Sequence, residues 1–151
     1  MPAHAAQGQS VDEQSRSVAC AFSEKAVMLC KAAAMGDAAT YREIAQASTP
    51  EAAKSLGRQV RDFSDQVWAR VECSVAFQVV AQKFMKSPEL QELLLREDGL
   101  FAEMTRKDAS WGTGIDRSEP REVKCAPSKW AGAHMLGWEL TEARGALADV
   151  Q

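Results

Sequence analysis

Apolar residues recur along this chain at the three- to four-residue spacing of helices, and cap signals cut the pattern into segments. The spacing predicts a first helix through the run Ala26–Met35, with Ser23 as its N-cap and Gly36 just past its end. Asp37 is placed to cap a second helix running to about Ala47. Thr49-Pro50-Glu51 combines a capping hydroxyl, a proline at the first helical position and an acid in the first turn, so a short helix is expected from there to Gly57. Ser64-Asp65 opens the longest helix, to about Met85. Val67, Val71, Val75 and Val79 form its apolar stripe, widened by Phe77, Ala81 and Phe84. Ser87-Pro88-Glu89 repeats the cap-proline-acid signal for a helix to Arg96, which Gly99 interrupts.

Beyond Gly99 the pattern weakens. Leu100 to Thr105 reads as a short strand, although its alternation is poor. Residues 106–129 form a long aperiodic segment, and segments of that length in compact domains are usually functional or disordered. A last helix carries Leu136, Leu140, Ala143 and Leu147 on one face. Residues 1–20 are polar and expected to be disordered, which leaves 21–151 as the folded unit. The fold class is mainly α: a single multihelical domain with at most a few short strands.

Composition narrows the function. The 151 residues suit one domain, and 46% hydrophobic with 26% charged residues is ordinary for a globular protein. A formal charge of −3 gives no global attraction to nucleic acid, so any such contact needs a local basic patch. No apolar stretch is long enough to span a bilayer, so no membrane role is expected, and the first twenty residues lack the signature of a secretory signal. The cysteines at 20, 30, 73 and 125 form no CxxC and have no histidines at zinc-site spacing. Cys30 and Cys73 fall in helical apolar patterns and are expected to be buried thiols. The expected setting is reducing and intracellular, cytoplasmic or nuclear.

Lys31 is the most informative residue. It is the only charge in the run Ala26–Met35, seven residues after Glu24, and positions 24, 28 and 31 share one helical face. Burial would favour the neutral amine and make a nucleophile. A lysine that snorkels from the edge of a core helix accounts for the same letters. Glu103 and Asp108 bracket the entry to a Trp-Gly-Thr-Gly turn, where they can act as acid and base at a glycosidic bond or simply cap the loop. Trp111 with Gly112 and Gly114 offers an aromatic face beside closely approachable backbone. Trp130 and Trp138 share that ambiguity with a core role, and Trp68 is read as core. Arg58 suits a phosphate or an ordinary surface. His134 is the only histidine in the expected folded region, and no Walker loop or GxGxxG is present.

The pattern Ser23-Glu24-x-x-x-Met28-x-x-Lys31-Ala32 resembles the opening motif of the NADAR superfamily, also called the YbiA-like family. The resemblance continues through Leu56-Gly57-Arg58-x-Val60-x-x-Phe63, Trp68, Lys83-Phe84 and Glu103-Met104-Thr105-x-x-Asp108-x-x-Trp111-Gly112-x-Gly114. It closes with Trp130-x-Gly132-x-His134-x-Leu136-Gly137, Leu140 and Arg144, and so runs from about Phe22 to Leu147. It implies an N-glycosidase acting on ribosyl–nitrogen bonds without metal or redox cofactor. One branch of the family hydrolyses early riboflavin-pathway intermediates, and another removes ADP-ribose from guanine bases of nucleic acid. The second is the expected activity, with ADP-ribose or ADP-ribosylated guanine as the partner. The basic residues Arg106, Lys107, Arg117, Arg121, Lys124 and Lys129, diluted by Asp108, Asp116, Glu119 and Glu122, offer a modest patch for it. The alternatives are the riboflavin-intermediate activity and a non-catalytic module that binds ADP-ribose or NAD.

Carried over residue by residue, the resemblance gives catalytic roles to Lys31, Glu24, Glu103 and Asp108. The lysine would form a Schiff base with the opened ribose. Ligand binding would fall to Trp111, Gly112, Gly114, Arg58, Trp130 and His134. Two departures stand out. Residues 1–20 contain nothing like the aromatic Ser-Asn-Phe segment that walls the pocket in many members, and His134 occupies the place of the usual asparagine.

Overall fold

A computed structural model describes residues 18–149, without the side chains of Glu122 and Val123. Of the amino-terminal segment expected to be disordered, residues 1–17 lie outside the described residues. Val18, the first described residue, packs against the first core. Helices α1 (Ser23–Ala34), α2 (Ala38–Gln46) and α3 (Pro50–Gly57) form one layer. The long α4 (Asp65–Met85) crosses from it to a second layer of α5 (Pro88–Arg96) and α7 (Met135–Ala148). A single-turn α6 (Pro120–Val123) and a 3₁₀ turn at Pro127–Lys129 break up the long aperiodic segment.

The helix starts follow the cap chemistry. Asp37, Thr49, Ser64 and Ser87 each accept a hydrogen bond from the backbone N–H three residues on, at 3.1, 3.2, 3.3 and 3.4 Å. Ser23 departs from expectation. It is the first residue of α1, Phe22 occupies the cap position, and no side chain caps this end. Asp37 does more than cap. Arg61 donates to its Oδ1 from Nη2 at 2.6 Å and Nε at 3.2 Å, and the Arg61 backbone N–H reaches Oδ2 at 2.9 Å. The link fixes the turn between α3 and α4, where Asp62 adopts a left-handed φ of 53°.

Two apolar clusters hold the layers. Leu29, Ala32, Ile44, Ala53 and Val60 form the first; Val80, Leu94 and Ala143, with Phe84, Phe101, Leu136, Leu140 and Leu147, form the second. The α7 face therefore packs as its spacing implies, each fully buried aliphatic side chain contributing about 1.5–3 kcal/mol. The α4 stripe does not. Its buried residues are Ala76 and Val80, whereas Val67 is 39% exposed. Val71, Val75 and Val79 line an open groove between α1 and α4. The small Ala76 lets a neighbouring helix approach, and that selects a face the valines do not share. Cys30 and Cys73 are likewise exposed rather than buried, Cys30 along the wall of that groove.

Leu100–Thr105 is not a strand. Among the described residues no strand forms. Here the Thr113 N–H meets the Glu103 carbonyl at 2.8 Å without a repeating ladder. Phe101 is drawn into the second core instead, its ring 5.0 Å from the Arg144 guanidinium, which also bonds the carbonyls of Glu97 and Gly99. Residues 109–113 lie against the start of α7. Their carbonyls accept from the N–H groups of Ala133 at 2.6 Å, His134 at 3.0 Å and Leu136 at 3.1 Å.

Candidate functional site

The site is assembled on the α1 face that carries Glu24, Met28 and Lys31. Two helical turns separate the charged residues, an axial rise of about 10 Å. Between them Met28 meets Gly57 so closely that a β-carbon on Gly57 would fall 2.0 Å from the Met28 sulfur. A larger residue at 57 would force the Met28 side chain to shift, so glycine favours this approach of α3 to α1. The approach brings Lys54 and Arg58, which flank Gly57, alongside the same face. Lys31 is half-buried, with its Nζ 4.3 Å from the centroid of the Phe63 ring. Burial pushes its pKa below the usual lysine range. Glu72 and Asp65 oppose that shift, and Arg58 adds to it.

The 103–112 loop adds the remaining carboxylates. Partial burial raises the pKa of Glu103; the charges of Asp108 and Glu24 raise it further, and Lys54 counteracts them. Glu103, Asp108, Glu24 and Lys54 therefore form one electrostatic group on the Glu24 side of Met28. Asp108 also organises the turn. Its Oδ1 accepts from the N–H groups of Ser110 at 3.1 Å and Trp111 at 2.8 Å. Trp111 reaches across to α4, its indole Nε1 donating to Glu72 Oε1 at 3.2 Å. Gly112 is a close-approach position, since a β-carbon there would fall 2.7 Å from the Thr105 methyl and 2.8 Å from the Asp108 carbonyl. Thr113, fully buried, ties the loop down by donating from both its N–H and its hydroxyl to the Glu103 carbonyl.

The structure thus offers an amine of depressed pKa at Lys31, influenced by Glu72, Asp65 and Arg58, and a carboxyl of raised pKa at Glu103, influenced by Asp108, Lys54 and Glu24. An amine of that kind can add to an electrophilic carbon, and such a carboxyl can protonate a leaving group. A profile of the NADAR domain matches residues 3–148. The chain belongs to the NADAR family.

This NADAR domain is 29% identical to N-glycosidase R617 of Acanthamoeba polyphaga mimivirus over 122 residues, 80% of this chain and 71% of that protein. It is 32% identical to N-glycosidase Npun_R5314 of Nostoc punctiforme over 83 residues, covering 54% of this chain and 53% of the relative. Its fold is similar to the NMR structure of the E. coli protein YbiA, with a TM-score of 0.66 and 28% identity over 85% of this chain and 67% of that one. The mainly α architecture of the family is therefore the architecture found here.

Of the residues singled out in the NADAR motifs, Lys31, Glu24, Glu103, Asp108, Trp111, Gly112 and Arg58 converge on this face. Gly114, Trp130 and His134 lie elsewhere. Gly114, with φ of 70°, lines a shallow groove with Arg106, Ile115 and Lys129. The His134 ring is buried against Gly137 of α7 and edge-on to Trp130, at 4.6 Å between centroids. Its Nδ1 and the Trp130 Nε1 are buried without hydrogen-bond partners, and burial lowers the histidine pKa. These two residues support the loop, through the His134 N–H to Gly112 bond, one step removed from Trp111. Trp138 is 61% exposed on α7.

Sequence reasoning missed Glu72, Asp65, Phe63 and Lys54. Glu72 did leave a signal: it is the only carboxylate of α4 beyond the first turn. A groove of about 860 Å³ between α1 and α4 opens on the opposite face of α1. Phe22, Leu29, Cys30, Val75 and Val79 line it, with no carboxylate among the described residues of its wall.

Proposed function

We propose that the Lys31 face hydrolyses the bond between ribose and a base nitrogen, and that its substrate is guanine carrying ADP-ribose in nucleic acid. Hydrolysis of an N-glycosidic bond is the activity of the family. What supports the finer reading is that the α1 face offers a half-buried lysine held below its usual pKa, while Glu103, which feels the charge of Glu24 on that face, is a carboxyl held above its own. In this reading the Lys31 amine adds to the anomeric carbon as the bond to the base nitrogen breaks, and protonated Glu103 supplies the proton that the departing base takes up. Glu24 accepts the proton lost by the attached amine. The ring oxygen then leaves the same carbon and is protonated, which opens the sugar to a Schiff base. Water adds to that carbon and releases ADP-ribose and free lysine. Asp108 favours the protonated form of Glu103 by its own charge, Trp111 provides a face for the base, and Arg58 a fork for phosphate. Solvent-exposed Arg117, Arg121, Lys124 and Lys129 give a nucleic-acid strand local positive charge, and a cytoplasmic or nuclear setting belongs to the same reading.

An oligonucleotide bearing guanine-linked ADP-ribose tests it. Release of ADP-ribose is expected, and unchanged substrate after prolonged incubation refutes this assignment. The same protein incubated with early riboflavin intermediates provides the contrast. Release of ribose 5-phosphate there, with the oligonucleotide untouched, would move the substrate to the small monophosphates that suit a net charge of −3. Tight ADP-ribose binding without any turnover would point to a binding module.

A further inference from the structure

We propose that Glu72 is a positioning residue of this site, with one carboxylate that both anchors the Trp111 indole and faces the Lys31 side chain. The role in catalysis rests on the N-glycosidase reading; the indole bond and the charge that Glu72 presents to Lys31 do not. Glu72 projects from α4, the helix that connects the two layers, whereas Lys31 comes from α1 and Trp111 from the loop before α7. Its Oε1 accepts the indole N–H at 3.2 Å, and both side chains are half-buried, where a charge-assisted bond is strengthened. Among the charges acting on Lys31, Glu72 comes first, ahead of Asp65 from the same helix and of Arg58, which opposes both. The Phe63 ring also lies against the ammonium, its centroid 4.3 Å from Nζ.

This geometry gives Glu72 two separable effects. As an acceptor it fixes the orientation of the indole presented to a base. As a charge it favours the ammonium form of Lys31, and so limits how much free amine the resting site holds. The isosteric Glu72→Gln separates them, since the amide oxygen still accepts the indole N–H while the charge is gone. Glu72→Leu removes both.

The decisive measurement needs no substrate. The pH dependence of Lys31 acylation by an amine-reactive ester, followed by peptide mass spectrometry, reports the ionisation of this one amine. With Glu72→Gln the midpoint should move to lower pH, and labelling below the midpoint should become several-fold faster, while the near-UV circular dichroism of the indole stays as in the parent. With Glu72→Leu the near-UV signal should change as well. In turnover, Glu72→Gln should shift the rising limb of the kcat profile to lower pH with KM little changed, whereas Glu72→Leu should also raise KM. An unmoved Lys31 midpoint in Glu72→Gln overturns the electrostatic half, and an unaltered indole signal in Glu72→Leu overturns the anchoring half. Should Glu72→Leu fail to fold, the Gln variant still decides the first half and Trp111→Phe, with raised KM and an unmoved Lys31 midpoint expected, decides the second. Because labelling proceeds without turnover, an inactive protein would count against the N-glycosidase reading and leave this test standing.

Discussion

Lys31→Arg separates charge from nucleophilicity at the centre of the site. The arginine keeps a cation beside Phe63, where guanidinium also stacks well, so the packing interaction of about 0.5–1 kcal/mol should survive. What it loses is the neutral nitrogen. At pH 7.4 a lysine of ordinary pKa is neutral in about one molecule per thousand, whereas an arginine is neutral in roughly one per 10⁵–10⁶. That difference alone predicts a loss of at least about 100-fold in kcat, or ~2.7 kcal/mol of barrier. Burial widens the gap, because it lowers the lysine pKa below the ordinary value used in that comparison. Borohydride added during incubation with ADP-ribose should reduce the Schiff base to a stable amine on Lys31. Intact-mass analysis should show the adduct in the parent and none in Lys31→Arg or Lys31→Ala. Thermal denaturation controls for folding: the arginine variant should melt with the parent, and the alanine variant should melt about 2–4 °C lower for about 1 kcal/mol in a chain of this size. An arginine variant that retains turnover would refute the covalent role and return Lys31 to a structural one.

Glu103→Gln should lower kcat by about 10²–10⁴-fold and abolish the falling limb of the pH profile. In the parent, the raised pKa keeps the acid form present to higher pH than an ordinary carboxyl, and activity falls as pH rises through it. Gly112→Ala would place a methyl 2.7 Å from Thr105 and 2.8 Å from the Asp108 carbonyl, so a cost of about 1–3 kcal/mol is expected, read as a lowered denaturation midpoint. His134→Asn should fold normally, because both residues tolerate the left-handed φ of 58° found there. It should also remove an acid sensitivity. The lowered folded-state pKa of His134 means that the unfolded chain takes up the proton first, so stability is complete above the ordinary histidine pKa and falls as pH drops below it. Melting at pH 7.5 and 5.5 should differ less in the variant than in the parent, and an equal difference would refute the assignment.

The helices were legible because their starts are written in local chemistry. Thr49, Ser64 and Ser87 cap where a hydroxyl three residues ahead of a backbone N–H must cap, and the prolines at 50 and 88 sit where their missing N–H costs nothing. Which face of α4 is buried was not legible, because two candidate faces were apolar. The choice depends on where α7 and α1 cross, and it fell to the face with Ala76 and Val80 rather than to the stripe of Val67, Val71, Val75 and Val79. The strand expected at Leu100–Thr105 failed for a related reason: Phe101 packs into the second core and leaves the segment no partner ladder.

The site divides along the same line. Glu24 and Lys31 were readable from spacing because one helix carries both, and the Glu103–Asp108 pair because one loop does. Glu72, Phe63 and Lys54 belong to other elements and reach Lys31 or Glu103 only through packing that has no local signature. Even so, one letter encodes much of that packing. Gly57 allows α3 to press onto Met28, and the closeness of Lys54 and Arg58 to the active face follows from that contact. The departure at His134 has a similar explanation. The position initiates α7 in the left-handed region, which asparagine and histidine both accept readily, and its N–H holds the Gly112 carbonyl. What the fold demands there is a backbone conformation with a donor N–H, and either side chain meets it, so the exchange leaves the arrangement of Lys31, Glu103 and Trp111 intact.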